Sequence, residues 1–232
     1  MTANPLALQL EAAFQEARAM DVSLGERLDH VAKAVRTLSD EFADGVDRLV
    51  ARLKDADVGL DAPHPGEVMP PFSLPDDKGN VVTLERELEK GPVAVVFNRG
   101  HWCPYCRLNT SALADAQRTL GDLGEIIAIT PERSKFSGHM KDEASATFPV
   151  LTDLDNGYAM SLNLAFWVGD EMRRLMTAGG FIPTEAQGND AWFLPIPATF
   201  VVGTDGRVKQ RFIDPDYRKR MAIEDLIATL RS

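Results

Sequence analysis

The chain contains two cysteines, Cys103 and Cys106, two residues apart in the stretch PVAVVFNRGHWCPYCRL at 92–108. A thiol is a nucleophile only as the thiolate. A helix N-terminus favours that form through its unpaired N–H groups and partial positive charge. The pattern places Cys103 at or just before a helix start and Cys106 about one turn on, within reach for a disulfide. Pro104 suits the first helical turn, where its missing N–H is not needed. Arg99, His101 and Arg107 add positive charge nearby, and Trp102 would shield one side of a sulfur while leaving the other open.

Three plainer readings compete with dithiol redox chemistry. A structural zinc site needs about four ligands, and His30, His64, His101 and His139 show no paired spacing. A static disulfide over so short a loop constrains little chain, and nothing in the sequence points to an oxidising compartment. Two inert thiols would not call for the flanking Pro, Trp and Arg. The redox reading fits this strand-to-helix context best; no metal and no cofactor is expected.

The elements that must position the pair follow from the pattern of apolar residues. Val93–Phe97 reads as a buried strand, broken by Asn98, Arg99 and Gly100. The helix after Cys106 carries Leu108, Leu113, Ala116 and Leu120 and ends near Gly121 or Gly124. Upstream, Asn4-Pro5 opens a first helix, with Asn4 as its cap. Ser23 to Glu26 is a capping-box pattern. From Leu24 to Leu53, apolar residues recur at spacings of three and four, which predicts one long amphipathic helix to about Lys54. Its apolar face is either a dimer seam or a surface packed on the chain's own main domain, with simple intramolecular packing favoured. Residues 55–71 form a linker, and the boundary near Asp61 divides an N-terminal helical segment (1–60) from the main domain (61–232).

Within that domain, Phe72–Leu74 and Val81–Leu84 predict a hairpin, and Glu85–Lys90 a short helix. Glu125–Thr130 is a buried strand, Pro131-Glu132 starts a helix, Phe148–Leu151 is strand-like and Asn156–Asn163 helical. Residues 164–193 read as an insertion of one helix and a long loop, which either shapes the substrate entrance or is a peripheral elaboration. Ile196–Val202 is a strand entered through Pro197, Asp205-Gly206 is a turn, Val208–Phe212 pairs back, and Ile223–Leu230 is a closing helix. Strands alternating with helices predict an α/β sheet covered on both faces.

The net charge of −10 and the pI near 4.9 argue against a nucleic-acid partner or an anionic membrane surface. No basic leader with an apolar core opens the sequence, and no apolar run is long enough to span a membrane. A cytoplasmic setting is expected.

Val96–Cys106 (VFNRGHWCPYC), Pro197-Ala198-Thr199-Phe200 and Asp205-Gly206 together resemble the thioredoxin superfamily. More closely, the chain resembles the peroxiredoxin-like branch of the alkyl hydroperoxide reductase / thiol-specific antioxidant family. That branch carries a Tyr-Arg-Gly-x-Trp-Cys-Pro-Tyr-Cys motif, from which Asn98 departs, and an Asp-x-Asp-Tyr-x-x-Arg segment matched by Asp214–Arg220. The resemblance covers roughly 63–232. It implies a thioredoxin-like fold, a central mixed sheet with helices on both faces, here preceded by an N-terminal helical hairpin. Against the Pro-x-x-x-Thr-x-x-Cys motif of ordinary peroxiredoxins, Arg99 stands at the Pro, Cys103 at the Thr and Cys106 at the peroxidatic position. Pro197 falls where many of them carry an arginine, as in thioredoxins, and by that likeness the Ile196–Pro197 bond is expected to be cis.

The resemblance implies a thiol peroxidase acting on hydrogen peroxide or alkyl hydroperoxides and recycled by a thioredoxin-like protein reductant. Cys103, Cys106 and Arg99 are the catalytic candidates, with Trp102, Pro197 and Thr199 around the substrate. Alignment favours Cys106 as the attacking thiol. Exposure at the helix start favours Cys103, which is taken as the attacker, with Cys106 resolving. The alternative is a thioredoxin-like thiol–disulfide oxidoreductase using the same cysteines without a peroxide pocket. A third reading is a redox-switched homodimerising module. Tyr217 and Arg220, with Asp214 and Asp216, either line the pocket or form a capped turn, and the turn is favoured.

Overall fold

The computed structural model of the protein describes residues 5–232, so the expected cap Asn4 lies outside the described residues. The N-terminal segment forms three helices: α1 (Pro5–Ala19), α2 (Leu24–Leu38) and α3 (Asp40–Asp55). The Ser23–Glu26 capping box is present at α2. The single long helix expected from 24 to 54 is instead broken at Ser39. That residue is extended, donates its N–H to the Val35 carbonyl and caps α3 through its hydroxyl, which accepts from Phe42 N–H at 3.2 Å. The apolar spacing runs on across the break, so periodicity alone hides it; the serine side chain supplies the competing local hydrogen bond. The expected hairpin of helices is thus a three-helix cap.

The main domain continues with β1 (Ser73–Pro75), β2 (Val81–Thr83), α4 (Leu84–Leu88), β3 (Val93–Phe97), α5 (Pro104–Leu120), β4 (Glu125–Thr130), α6 (Ser134–Ala144), β5 (Val150–Thr152) and α7 (Gly157–Ser161). Then follow β6 (Ala165–Trp167), α8 (Asp170–Ala178), α9 (Pro183–Gln187), β7 (Phe193–Pro195), β8 (Ala198–Val202), β9 (Val208–Ile213) and α10 (Ile223–Arg231). The central sheet has the order β5-β4-β3-β8-β9, with β3, β4 and β5 parallel and β8 and β9 antiparallel additions. All five residues of β3 are buried, as a strand covered on both faces requires. Val95 and Phe97 face one apolar cluster with Phe200 and Tyr158; Ala94 and Val96 face another with Leu113, Met140 and Leu226.

Two other expectations are corrected. The 164–193 insertion holds one strand, β6, and two helices, and β6 pairs with β7 at its far end, Phe166 opposite Leu194. Pro131-Glu132 does not start a helix; α6 begins at Ser134, and Glu132 is buried beside the cysteine loop.

The face of α2 and α3 that resembles a dimer seam is occupied within the chain. Leu28, Val31, Val46, Leu49 and Leu53 share one buried cluster with Cys103, Cys106, Leu108, Met172 and Tyr217. Gly45 serves this packing: a Cβ there would lie 3.3 Å from Met172 Sδ and closer still to Leu175, so glycine lets α3 approach α8. The cap also carries ion pairs to the main domain, Arg48 with Glu171 at 2.7 Å and Asp47 with Arg218 at 2.9 Å.

Candidate active site

The strand-to-helix junction is built by β3, a tight loop and α5. Asn98 N–H still donates to Ile129 of the neighbouring strand. The chain then turns through Gly100 at φ 142°, where a Cβ would lie 2.6 Å from the Glu132 carboxyl carbon and 2.7 Å from Trp102 Nε1. Only glycine fits so close an approach. Cys103 caps α5 with its backbone carbonyl, which accepts from Cys106 and Arg107, and Pro104 is the first helical residue. This placement of both cysteines agrees with the sequence reading. Their exposure does not: Cys103 is 1% exposed and Cys106 fully buried. Both are free thiols.

The two sulfurs have opposite acid–base character. Burial by itself pushes the Cys106 thiol up. The Cys103 thiol as a donor, the charges of Arg220 and Arg99, and the Arg99 backbone N–H outweigh it and bring Cys106 down to about 5. The geometry is direct: Arg99 N–H donates to Cys106 Sγ at 3.3 Å, and the Arg220 guanidinium donates at 3.4 Å. Cys103 goes the other way. Burial, its hydrogen bond to Cys106 and the negative charge there push its thiol well above the usual range, against the pull of Arg99 and Arg220. The arrangement favours the thiolate on Cys106 and the thiol on Cys103.

A cage of aromatic and cationic groups surrounds the pair. The buried Arg99 guanidinium lies 3.8 Å from the Tyr217 ring centroid and 4.9 Å from that of Trp102, within cation–π range. Tyr105 meets Tyr217 edge-on at 5.5 Å. Both readings of the 214–220 segment hold. It is a side-chain-capped turn, with Asp214 accepting from Asp216 N–H and Asp216 from Arg218 N–H. It also lines the site, because that turn delivers Tyr217 and Arg220. Arg220 is fixed by donating to the Tyr217 and Lys219 carbonyls at 2.6 and 2.7 Å.

Glu132 escaped the sequence reading. Its carboxylate accepts from His101 backbone N–H at 2.8 Å and meets His101 Nδ1 at 2.7 Å, which pins the loop from below. Arg107 has a tethering place. It pairs with Glu11 of α1 at 2.6 Å and with Glu143 of α6, over the Phe14 ring at 3.7 Å.

A cavity opens on Cys103, lined on its near side by Arg99, Trp102, Pro104, Tyr105 and Tyr217. Pro197, just before β8, and Thr199, on β8 opposite Val96, are buried and are not in this lining. The Ile196–Pro197 bond is trans, not cis. The chain runs from β7 into β8 through extended backbone, held by Ile196 N–H on the Leu164 carbonyl at 2.8 Å, and makes no tight turn there. Among the described residues, no group of three or more His, Cys, Asp or Glu side chains could hold a metal ion. Among them, too, no helix is long and apolar enough to cross a membrane.

A mixed sheet with a dithiol at the N-terminus of the helix after its central strand defines a thioredoxin-like protein. Residues 65–211 match the model of the AhpC/TSA family, and the chain belongs to that family. A protein of Mycobacterium tuberculosis (strain ATCC 25618 / H37Rv), provisionally named a peroxiredoxin, is 28% identical over 148 residues, covering 62% of this chain and 81% of its own. Among solved structures, peroxidoxin BcpB from M. tuberculosis aligns with TM-score 0.56 and 19% identity over 73% of this chain and 97% of its own. A cysteine mutant of peroxiredoxin 6 from Arenicola marina aligns with TM-score 0.55 and 15% identity, over 72% and 71% of the two chains. The family match ends before Tyr217 and Arg220 and begins after the three-helix cap.

Proposed function

We propose that the protein is a thiol peroxidase in which Cys106 attacks the hydroperoxide and Cys103 resolves. The observation that carries this reading is the Cys106 sulfur held by the Arg99 N–H and the Arg220 guanidinium. Two donors and two cations favour the thiolate, and they stand ready for the oxygen anion that leaves when the peroxide bond breaks. Cys106 becomes a sulfenic acid. The Cys103 thiol then condenses with it, giving a disulfide and water. An external dithiol, for which a thioredoxin-like protein is the expected source, restores the pair by thiol–disulfide exchange.

This reverses the roles expected from the sequence. Exposure at the helix start was the argument for Cys103, and the cap removes that exposure. The alternative, an oxidoreductase for protein disulfides, is less well supported, because the donors that favour a thiolate converge on Cys106 inside the helix and not on Cys103 at its cap, the position from which a disulfide exchanger attacks.

The test is stopped-flow mixing of reduced protein with hydroperoxide, followed by tryptophan fluorescence, since Trp102 adjoins the dithiol. Oxidation many times faster than that of a free thiol under the same conditions is expected. Oxidation no faster than the free thiol, together with rapid reduction of small disulfides, would favour the oxidoreductase.

A further inference from the structure

Asn98, Thr130 and Thr152 form a polar row across the central sheet. They directly follow Phe97, Ile129 and Leu151, which stand side by side on β3, β4 and β5, and Thr130 is paired with Thr152. Phe97, Ile129 and Leu151 belong to one apolar cluster, and Val96, Ala128 and Val150 to the other. Alternation along the strands therefore turns the polar row to the face that α5 and α6 cover. Asn109 of α5 joins it there, one turn before Leu113 on the helix stripe that packs on that face. These four side chains are at most 5% exposed. Both polar atoms of the Asn98 side chain, Asn109 Nδ2 and the two threonine hydroxyls have no hydrogen-bond partner among the described residues.

Five unpartnered polar atoms in one buried layer are costly unless water satisfies them. Neighbouring strands lie about 4.8 Å apart. That is too far for a direct hydrogen bond between side chains of one row and right for a water that reaches about 2.8 Å to each. A hydroxyl and a side-chain amide each offer a donor and an acceptor, so such a water is bonded on both sides. The row also has a direction. At its inner end the Arg99 N–H, next along the chain from Asn98, donates to Cys106 Sγ at 3.3 Å. At its outer end Thr152 stands on β5, an edge strand of the sheet.

We propose that Asn98, Asn109, Thr130 and Thr152 hold a file of internal water behind Cys106, and that this file carries protons between the sheet edge and the sulfur. Its role in turnover rests on the peroxidase reading. The Cys106 thiolate takes the terminal oxygen of the hydroperoxide, the S–O bond forms and the O–O bond breaks. The sulfur is oxidised to the sulfenic acid. The other oxygen leaves with the electron pair of the broken bond and needs one proton to depart as the alcohol, or as water when the substrate is hydrogen peroxide. The water nearest Asn98 gives that proton and regains one along the file from solvent at the sheet edge. The four side chains are positioning residues: they keep their charge and hold the water in line.

The test has two arms. The first is a high-resolution crystal structure of the native protein and of Thr130→Val, which exchanges a hydroxyl for a methyl group of similar shape. Ordered water bridging Asn98, Thr130 and Thr152 is expected in the native protein, and the water on Thr130 is lost in the variant. The second is single-turnover oxidation of the reduced protein by hydrogen peroxide in light and heavy water. Thr130→Val slows oxidation about tenfold, less than loss of a proton-donating side chain itself costs, and raises the solvent deuterium isotope effect, because proton delivery then limits the rate. Thr130→Ser keeps the hydroxyl and the native values. Thr152→Val gives the same pattern as Thr130→Val and serves if that variant does not fold. A dry row in the native protein overturns the proposal, as does a rate and isotope effect unmoved in the valine variants; fast native oxidation then leaves the peroxidase reading standing. Native protein that reacts no faster than a free thiol overturns the peroxidase reading and the proton path with it.

Discussion

The Arg220 guanidinium meets the Cys106 sulfur at 3.4 Å across 114 residues of sequence. Its other nitrogen is tied to the Tyr217 and Lys219 carbonyls, so the cation is delivered by a rigid turn and not by a free side chain. A hydrogen bond to a charged group is worth about 1.5–3 kcal/mol. Arg220→Gln therefore moves the thiolate titration of Cys106 upward, toward the ordinary thiol range, and slows oxidation by peroxide about tenfold. Arg220→Lys retains most of the acidity. Ultraviolet absorbance of the thiolate against pH reads both, and an unmoved midpoint in Arg220→Gln would remove Arg220 from the account.

One thiol of the native protein is expected to titrate well below the ordinary thiol range, at about 5, while burial and the neighbouring sulfur hold Cys103 above that range. The low step vanishes in Cys106→Ser. The sign of the linkage follows. The folded state holds this proton less tightly than an unfolded cysteine, whose pKa is about 8.5. The stability that Cys106 contributes is complete above about pH 8.5 and is lost as the pH falls toward 5. Chemical denaturation of native protein and Cys106→Ser across that window checks it, the native protein losing more stability on acidification.

Much of this was legible in the sequence, for a physical reason in each case. Val93–Phe97 and Ile126–Ile129 are continuous apolar runs because both faces of the parallel strands are covered. The Cys-Pro-x-Cys stretch announces its own helix start. Arg220 was legible only as a residue type, because its contact with Cys106 depends on how the 214–220 turn packs. Glu132 follows a strand and a proline, which reads locally as a helix start; its role is set by Gly100 and His101, thirty residues earlier. The Ser39 break hides inside an unbroken apolar periodicity. The expectation of a cis bond at Pro197 came from likeness to thioredoxins, and the extended passage from β7 to β8 does not need it.

Gly100 tests the loop that aims Arg99 N–H at the sulfur. Gly100→Ala places a methyl group against the Glu132 carboxyl and Trp102 at a backbone angle that L-residues rarely adopt. The cost is about 1–3 kcal/mol, read as a lower urea midpoint, together with slower peroxide oxidation. Unchanged oxidation would mean that the loop geometry does not govern reactivity.

Arg107 tests the attachment of the cap. Arg107→Gln loses the pairs with Glu11 and Glu143 and the stacking on Phe14. Glu11 is 45% exposed, so solvent screens part of the effect, and a loss of about 1–2 kcal/mol is expected. Amide hydrogen exchange shows faster opening in α1 than in β3 or β4. Uniform acceleration across the chain would contradict a local tether.

The central claim is that the Cys106 thiolate is the atom that peroxide oxidises. The most direct measurement treats reduced Cys103→Ser and Cys106→Ser separately with hydroperoxide and a sulfenic-acid trapping reagent, then locates the adduct by peptide mass spectrometry. The account predicts rapid sulfenic acid on Cys106 in Cys103→Ser and none above the free-thiol rate on Cys103 in Cys106→Ser. Rapid trapping on Cys103 in Cys106→Ser, with Cys106 inert in the other variant, would contradict it and return the attack to the cysteine at the helix cap.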